Sequence, residues 1–175
     1  MRGDFVSQGG GRMDGKLRNM ASVYITKGDR MLLLFRQGGR VVNDVWVGSA
    51  GGHFEPHELN DARACVLREL EEELGLKECD IHDLSLRYIT LRRSKGEIRQ
   101  NYYFFAVLDP GVDDELVSNE GISKWFDFSE VGALEMAYTS QFVIAHYLET
   151  GRETDEIYVG AADGEKIAFT AIPEF

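Results

Sequence analysis

Cysteine is scarce in this chain: its 175 residues include only Cys65 and Cys79. Two thiols cannot build a disulfide framework, and their spacing is not that of a zinc site. Both read as reduced and structural, which suits the cytoplasm. Long apolar runs are also missing. The longest, Met31 to Phe35 and Tyr102 to Leu108, have strand length and fall well short of the roughly 18–20 residues that span a bilayer. There is no internal repeat, low-complexity tract or second linker, so the length gives one domain. Basic residues are few, 19 against 30 acidic, for a formal charge of −11. Such a surface repels phosphate backbones, which excludes duplex nucleic acid and anionic membrane as partners. A small anionic substrate is still compatible, because a bound divalent cation reverses the local field.

Residues 1–18, with Gly9-Gly10-Gly11, read as a flexible leader without the apolar stretch of a signal peptide, and Met13 is an alternative start. The domain is then 19–175. Ala21 to Thr26 alternates as a half-buried strand does, and Met31 to Phe35 predicts a more fully buried one. A glycine-rich loop follows at Gly38-Gly39. Residues 45–54 predict a broken strand whose small residues allow close approach to the backbone. The clearest helix runs from Asp61 to Leu74, with Asn60 as N-cap, Gly75 past its end, and Val66, Leu70 and Leu74 as a core stripe. Strands at about 83–91 and 98–108 are joined by Ser94-Lys95-Gly96 as a hairpin. After an acidic loop at 109–121 come a strand at Ile122 to Phe128 and a helix from Thr139 or Ser140 to Glu149. A last hairpin turns at Asp163-Gly164. The pattern is α/β: a mixed sheet with a few helices packed on it.

The informative segment is Arg68-Glu69-Leu70-Glu71-Glu72-Glu73-Leu74-Gly75-Leu76. At helical spacing Glu69, Glu72 and Glu73 share one arc beside the buried stripe, and Glu71 points elsewhere. Like charges at i,i+3 and i,i+4 cost about 0.2–0.5 kcal/mol per pair. A helix that accepts this either faces open water, with Arg68 as counter-ion, or holds cations. Hard oxygen ligands of this kind suit Mg²⁺ and Mn²⁺.

Just before the helix stands Gly51-Gly52-His53-Phe54-Glu55-Pro56-His57-Glu58. Together the two segments resemble the signature of the Nudix hydrolases. Arg68, Glu69, Leu70, Glu72, Glu73, Gly75 and Leu76 match its second half in full, and Gly52 and Glu58 match its first. Nine residues separate Glu58 from Arg68 where the family has seven, and His57 stands where a Gly is common. The longer loop leaves open the pairing of Glu58 with Arg68 that the family uses. The resemblance implies a Nudix-type α/β/α sandwich with a mixed β-sheet between helices. It implies Mg²⁺ as cofactor, with Mn²⁺ as substitute, held by Glu69, Glu72, Glu73, the Gly51 carbonyl and Glu120, with Glu97 and Glu115 as weaker sources of the loop carboxylate. Glu69 or Glu120 is the base, Arg68 orients the carboxylates, and Gly52 and Arg36 meet the substrate.

The resemblance leans to the MutT-type branch that cleaves oxidised purine triphosphates such as 8-oxo-dGTP to the monophosphate and pyrophosphate. The chain is short, and Lys124-Trp125-Phe126-Asp127 resembles a late strand that presents an aromatic (Trp125) and an acid (Asp127) to the base; equally, Trp125 and Phe126 alternate as core residues do. No proline lies between Pro56 and Pro110, unlike ADP-ribose-type relatives. The alternatives are a pyrophosphatase for another nucleoside diphosphate derivative, such as a nucleotide sugar or dinucleoside polyphosphate, and a non-catalytic nucleotide sensor. The expected partner is a small-molecule nucleotide, and a homodimer is allowed. His82 and His146 have no ligand-like partners and read as structural or surface residues.

Overall fold

The computed structural model describes residues 15–37 and 44–174. The Gly38-Gly39 loop and Met13 lie outside the described residues. Among the described residues, nine strands form one mixed sheet: β1 (Leu17–Lys27), β2 (Arg30–Arg36), β3 (Val45–Val47), β4 (Ala50–His53), β5 (Ile81–Ser94), β6 (Glu97–Leu108), β7 (Gly121–Asp127), β8 (Ile157–Ala162) and β9 (Ile167–Ile172). The helices are α1 (Ala62–Leu74), α2 (Phe128–Val131) and α3 (Tyr138–Glu149). The main strand order is β3-β2-β1-β6-β5-β8-β9, with β4 on β1 and β7 on β2. β1 and β6 run parallel through the centre, whereas β5 and β6 form the expected antiparallel hairpin. β1 begins at Leu17, inside the stretch expected as leader.

Alternation along β1 sends its side chains to two cores. Ala21, Val23 and Ile25 face α1, packing with Val66, Leu70 and Leu74. Tyr24 faces the other way, into a cluster with Tyr103, Phe105, Val143 and Ile144 under α3. Helices therefore cover both faces of the sheet, and the α/β/α sandwich follows directly from the period-2 pattern of the central strands.

α1 starts one residue later than the spacing predicts. Its cap is Asp61, whose Oδ1 accepts from the Ala64 N–H at 2.9 Å, and not Asn60. Gly75 closes the helix at φ 68°, a left-handed conformation that a side chain would strain. α2 has no periodic signal in the sequence because it is a single turn.

β1 and β2 pair only near their shared turn, from Ile25↔Leu32 to Lys27↔Arg30, and then splay apart. β4 fills the gap on β1, and β3 fills it on β2. Ser49 bridges the point of divergence. Its hydroxyl donates to Leu32 O at 2.6 Å and accepts from Ile25 N at 2.8 Å, while its own N–H donates to Val23 O at 2.8 Å. The broken strand seen in the sequence is thus the wedge that opens the sheet.

Ser49 is 1% exposed, so its loss leaves a buried donor and a buried acceptor unsatisfied. Ser49→Ala is expected to cost about 2 kcal/mol in urea unfolding. A variant as stable as the parent would show that the bridge does not hold the splay.

Candidate active site

The wedge opens into a cleft of about 620 Å³ between the sheet and the first turn of α3. Gly51 and Glu73 line one wall, with Arg36 and Leu34 beside them. Gly51 N donates to Glu73 Oε2 at 3.2 Å. Gly52 presses its Cα against the Glu69 carboxylate: a Cβ there would sit 2.1 Å from Oε1. A side chain at this position would displace the Glu69 carboxylate.

Arg68 organises the acids. Its Nε donates to Glu58 Oε1 at 2.7 Å and its Nη2 to Glu58 Oε2 at 3.0 Å, a bidentate pair. Nη1 donates to Glu69 Oε1 at 2.7 Å and Glu72 Oε2 at 2.9 Å, and Nη2 also reaches His53 O at 3.2 Å. The two extra loop residues therefore do not break the pairing of Glu58 with Arg68. The segment between Glu58 and the helix closes on itself, Asp61 N donating to Glu58 O at 2.8 Å, and Glu58 is 1% exposed. His57 stays in solvent near Glu55.

Glu69 and Glu73 are buried, whereas the Glu72 side chain is 57% exposed. Burial and the neighbouring charges of Glu69 and Glu120 push the Glu73 carboxyl up to about 7, against the opposing pull of the Gly51 N–H and of Arg36. Burial also raises Glu69, with Arg68 working against it. Glu120 reaches this group from the loop before β7, held by Arg36 Nη2 at 2.8 Å. Asn119 fixes that loop to the end of α1, its N–H donating to Glu73 O at 3.3 Å and its Nδ2 to Glu72 O at 2.8 Å.

The donors are hard oxygens around a desolvated acid, which is the chemistry a divalent cation fits. Among the described residues, no three acidic, His or Cys side chains are gathered as a ready metal group, since Arg68 draws Glu69 and Glu72 aside. Of the three acids expected to share one arc, Glu69 and Glu73 lie on the buried side of α1, and Glu72 keeps to the solvent side.

Trp125 and Asp127 are not brought to the cleft. β7 runs antiparallel to β2, so Gly121 lies beside Arg36 at the site, and Asp127 lies beside Arg30 at the far end. Trp125 packs on the α1 side, its Nε1 donating to Asp114 O at 2.8 Å. Asp127 is exposed at the start of α2, where its N–H donates to Glu130 Oε2 at 3.0 Å. Of the weaker candidates, Glu97 sits with Arg18 and Arg99, and Glu115 is exposed on the acidic loop. His82 is exposed, and His146 is a packing residue whose Nδ1 lies 2.9 Å from Tyr88 Oη.

Reading the sequence missed the rest of the cleft. Arg18, Arg92, Lys95 and Arg99 join Arg36 there, and Glu73 is the one acidic lining residue among the described residues. Only the β6 part of this lining is local in the sequence, where Arg99, Asn101, Tyr103 and Phe105 share a face that turns from charged to aromatic.

Residues 16–148 match the family model of the NUDIX domain. The chain belongs to the NUDIX family and is a Nudix-domain hydrolase. Its fold is similar to that of a mutator MutT protein from Bacillus halodurans, with a TM-score of 0.64 and 22% identity over 90% of this chain and 99% of that one. It is similar too to a MutT protein from Methanosarcina mazei, with a TM-score of 0.60 and 17% identity over 82% and 100% of the two chains. A Caenorhabditis elegans Ap4A hydrolase has a TM-score of 0.59 and 18% identity over 78% and 99%. No curated protein sequence matches the chain. No helix among the described residues is long and apolar enough to cross a membrane.

Arg68 holds the Glu58 carboxyl down at about 2, from an ordinary 4.5. That stabilisation is fully present above 4.5 and is lost as the pH falls through about 2. Glu58→Ala removes the bidentate partner of Arg68, which keeps Glu69 and Glu72, and is expected to cost about 1.5–3 kcal/mol at neutral pH. The deficit should shrink on acidification toward pH 2, as read from urea unfolding at several pH values; a constant deficit would argue against the pair as its source.

Proposed function

We propose that the protein hydrolyses the phosphoanhydride of a nucleoside diphosphate derivative with Mg²⁺, or Mn²⁺ in its place. The observation that carries this reading is the buried Glu73 carboxylate, held by the Gly51 N–H in a cleft whose other charged lining residues, among the described residues, are Arg18, Arg36, Arg92, Lys95 and Arg99. Glu73, Glu69, Glu120 and the carbonyl of Gly51 would hold the cation, which when bound neutralises charge on the phosphoryl oxygens. Arg36 adds positive charge on the same wall and would meet the substrate's phosphates beside the backbone of Gly52.

A water oxygen then attacks phosphorus in line. The P–O bond of the anhydride breaks, the leaving phosphate takes the bonding electrons, and the water's proton goes to a carboxylate. Glu69 is the better base. Arg68 holds its Oε1, and burial raises its proton affinity towards the useful range. Glu120 is tied by its ion pair to Arg36 and serves the charge balance instead. Arg68 fixes Glu69 in place and does not touch the reacting atoms.

A second reading keeps the oxidised purine triphosphate, such as 8-oxo-dGTP, as substrate. It is favoured by Asn101, whose Oδ1 is buried in the cleft without a partner and could accept from a purine N–H. Trp125 and Asp127 do not support it, since both lie away from the cleft.

A hydrolysis panel with products identified by mass tests these readings. Turnover of a nucleoside diphosphate derivative is expected with Mg²⁺, and Glu73→Gln should lower kcat by about a hundredfold. Full activity of that variant, or no turnover of any nucleotide by the parent, would refute the proposal. The raised Glu73 carboxyl gives a second test. Its protonated form, which opposes cation binding, persists up to about pH 7. Mg²⁺ should therefore raise Tm more at pH 8 than at pH 5, and an equal rise at both would remove Glu73 from the cation site.

A further inference from the structure

Three guanidiniums stand in a row across the floor of the cleft. β1 and β6 set Arg18 opposite Arg99, and β6 and β5 set Arg99 opposite Arg92. Strands in a sheet are about 4.8 Å apart, so the three positive charges occupy adjacent rungs of one ladder. Like charges placed this way repel. One carboxylate faces them: Glu97, whose Oε2 is 3.7 Å from Arg18 Nη1 and 3.6 Å from Arg99 Nη2.

Arg18 spends its other donors on His53, with Nε at 3.0 Å and Nη2 at 2.8 Å from the ring Nε2. That nitrogen must be an acceptor, so His53 is neutral, in line with the lowering of its pKa by burial and by Arg18. His53 adds no charge and turns Arg18 into the cleft. Arg99 is 8% exposed, and its Nε is buried without a hydrogen-bond partner. Arg92 Nε is buried and unpartnered as well. Across the cleft stands the first turn of α3, which has no side-chain cap, and there the hydroxyl of Tyr138 is also buried without a partner. The positive end of the helix and the arginine row thus face one space with unfilled donors from both sides.

This space is not the metal-side wall. Gly51 pairs with Ser22, four residues along β1 from Arg18, which is about 13 Å at strand rise. That separation reaches past the adjoining phosphate of a scissile diphosphate. A core role would need each Nε–H satisfied within the protein, and a purely solvated role would not bury Arg99.

We propose that Arg18, Arg99 and Arg92 form a second anion subsite that takes a phosphomonoester on the sugar portion of the substrate. The proposal rests on the phosphoanhydride hydrolase reading and narrows it: the preferred substrate is a nucleoside diphosphate derivative with an additional phosphate on its ribose.

The test has two arms. Adenosine 2′,5′-bisphosphate, adenosine 3′,5′-bisphosphate and AMP contain no anhydride, so calorimetry with them measures the subsite without turnover. At least one bisphosphate should bind about tenfold or more tightly than AMP, and which one does so locates the phosphate on the ribose. Arg99→Gln and Arg92→Gln should each bring that ratio close to one. If Arg99→Gln does not fold, Arg18→Gln, at a half-exposed position, should lower the ratio in its place. The second arm compares hydrolysis of NADPH with NADH and of coenzyme A with its 3′-dephospho form, with Mg²⁺. Equal binding of AMP and both bisphosphates, or a preference that survives the arginine substitutions, would overturn the subsite. A bisphosphate preference with no hydrolysis in the second arm or of any nucleotide in the hydrolysis panel would uphold the subsite and overturn the hydrolase reading instead.

Discussion

One planar guanidinium holds the acidic helix in working order. Arg68 meets Glu58 along one edge, Glu69 and Glu72 along the other, and the carbonyl of His53 between them. A lysine would offer one point charge where this arrangement uses a fork of donors. The like charges of the helix, unfavourable in isolation, are thereby matched by a cation that also ties the helix to the turn before it. The geometry tolerates a longer loop because the pairing depends on where Glu58 ends up, not on how many residues lead to it.

The second organising feature is electrostatic contrast. A protein of net charge −11 concentrates five cationic side chains on the wall of a single cleft. Low-dielectric walls lined by one sign of charge focus the field, so a small anion is drawn to this cleft while an extended polyanion meets a repelling surface. Glu73 interrupts the positive lining where a divalent cation would complete it. The contrast separates the part of the cleft that supports chemistry from the part that supports recognition.

Much of this was legible in the amino-acid order. Val66, Leu70 and Leu74 marked the buried stripe of α1, the small residues at 48–52 marked the broken strand, and the box from Gly52 to Leu76 marked the acids. These are local signals, read within a turn or a strand. The cap at Asp61 and the single turn of α2 were not readable, because neighbouring residues could serve equally well. The arginine row was invisible for a different reason. Arg18, Arg92 and Arg99 come together only through the register of three strands, and no local period encodes a register. Trp125 and Asp127 show the limit of a short resemblance: which face and which end of β7 a residue takes depends on its pairing with β2, which the local order does not carry.

The parallel union of β1 with β6 has a consequence in time. The hydroxyl of Thr26 donates to the carbonyl of Ala106, 80 positions along the chain, and the whole length of both strands must zip across that gap. Closing so long a loop is slow relative to forming a helix or a hairpin. During synthesis, the glycine turn and the acidic helix emerge before the strand that completes the sheet. The chamber they serve is assembled only when the sixth strand arrives, so a nascent chain carries its reactive acids well before it has a place to put a nucleotide.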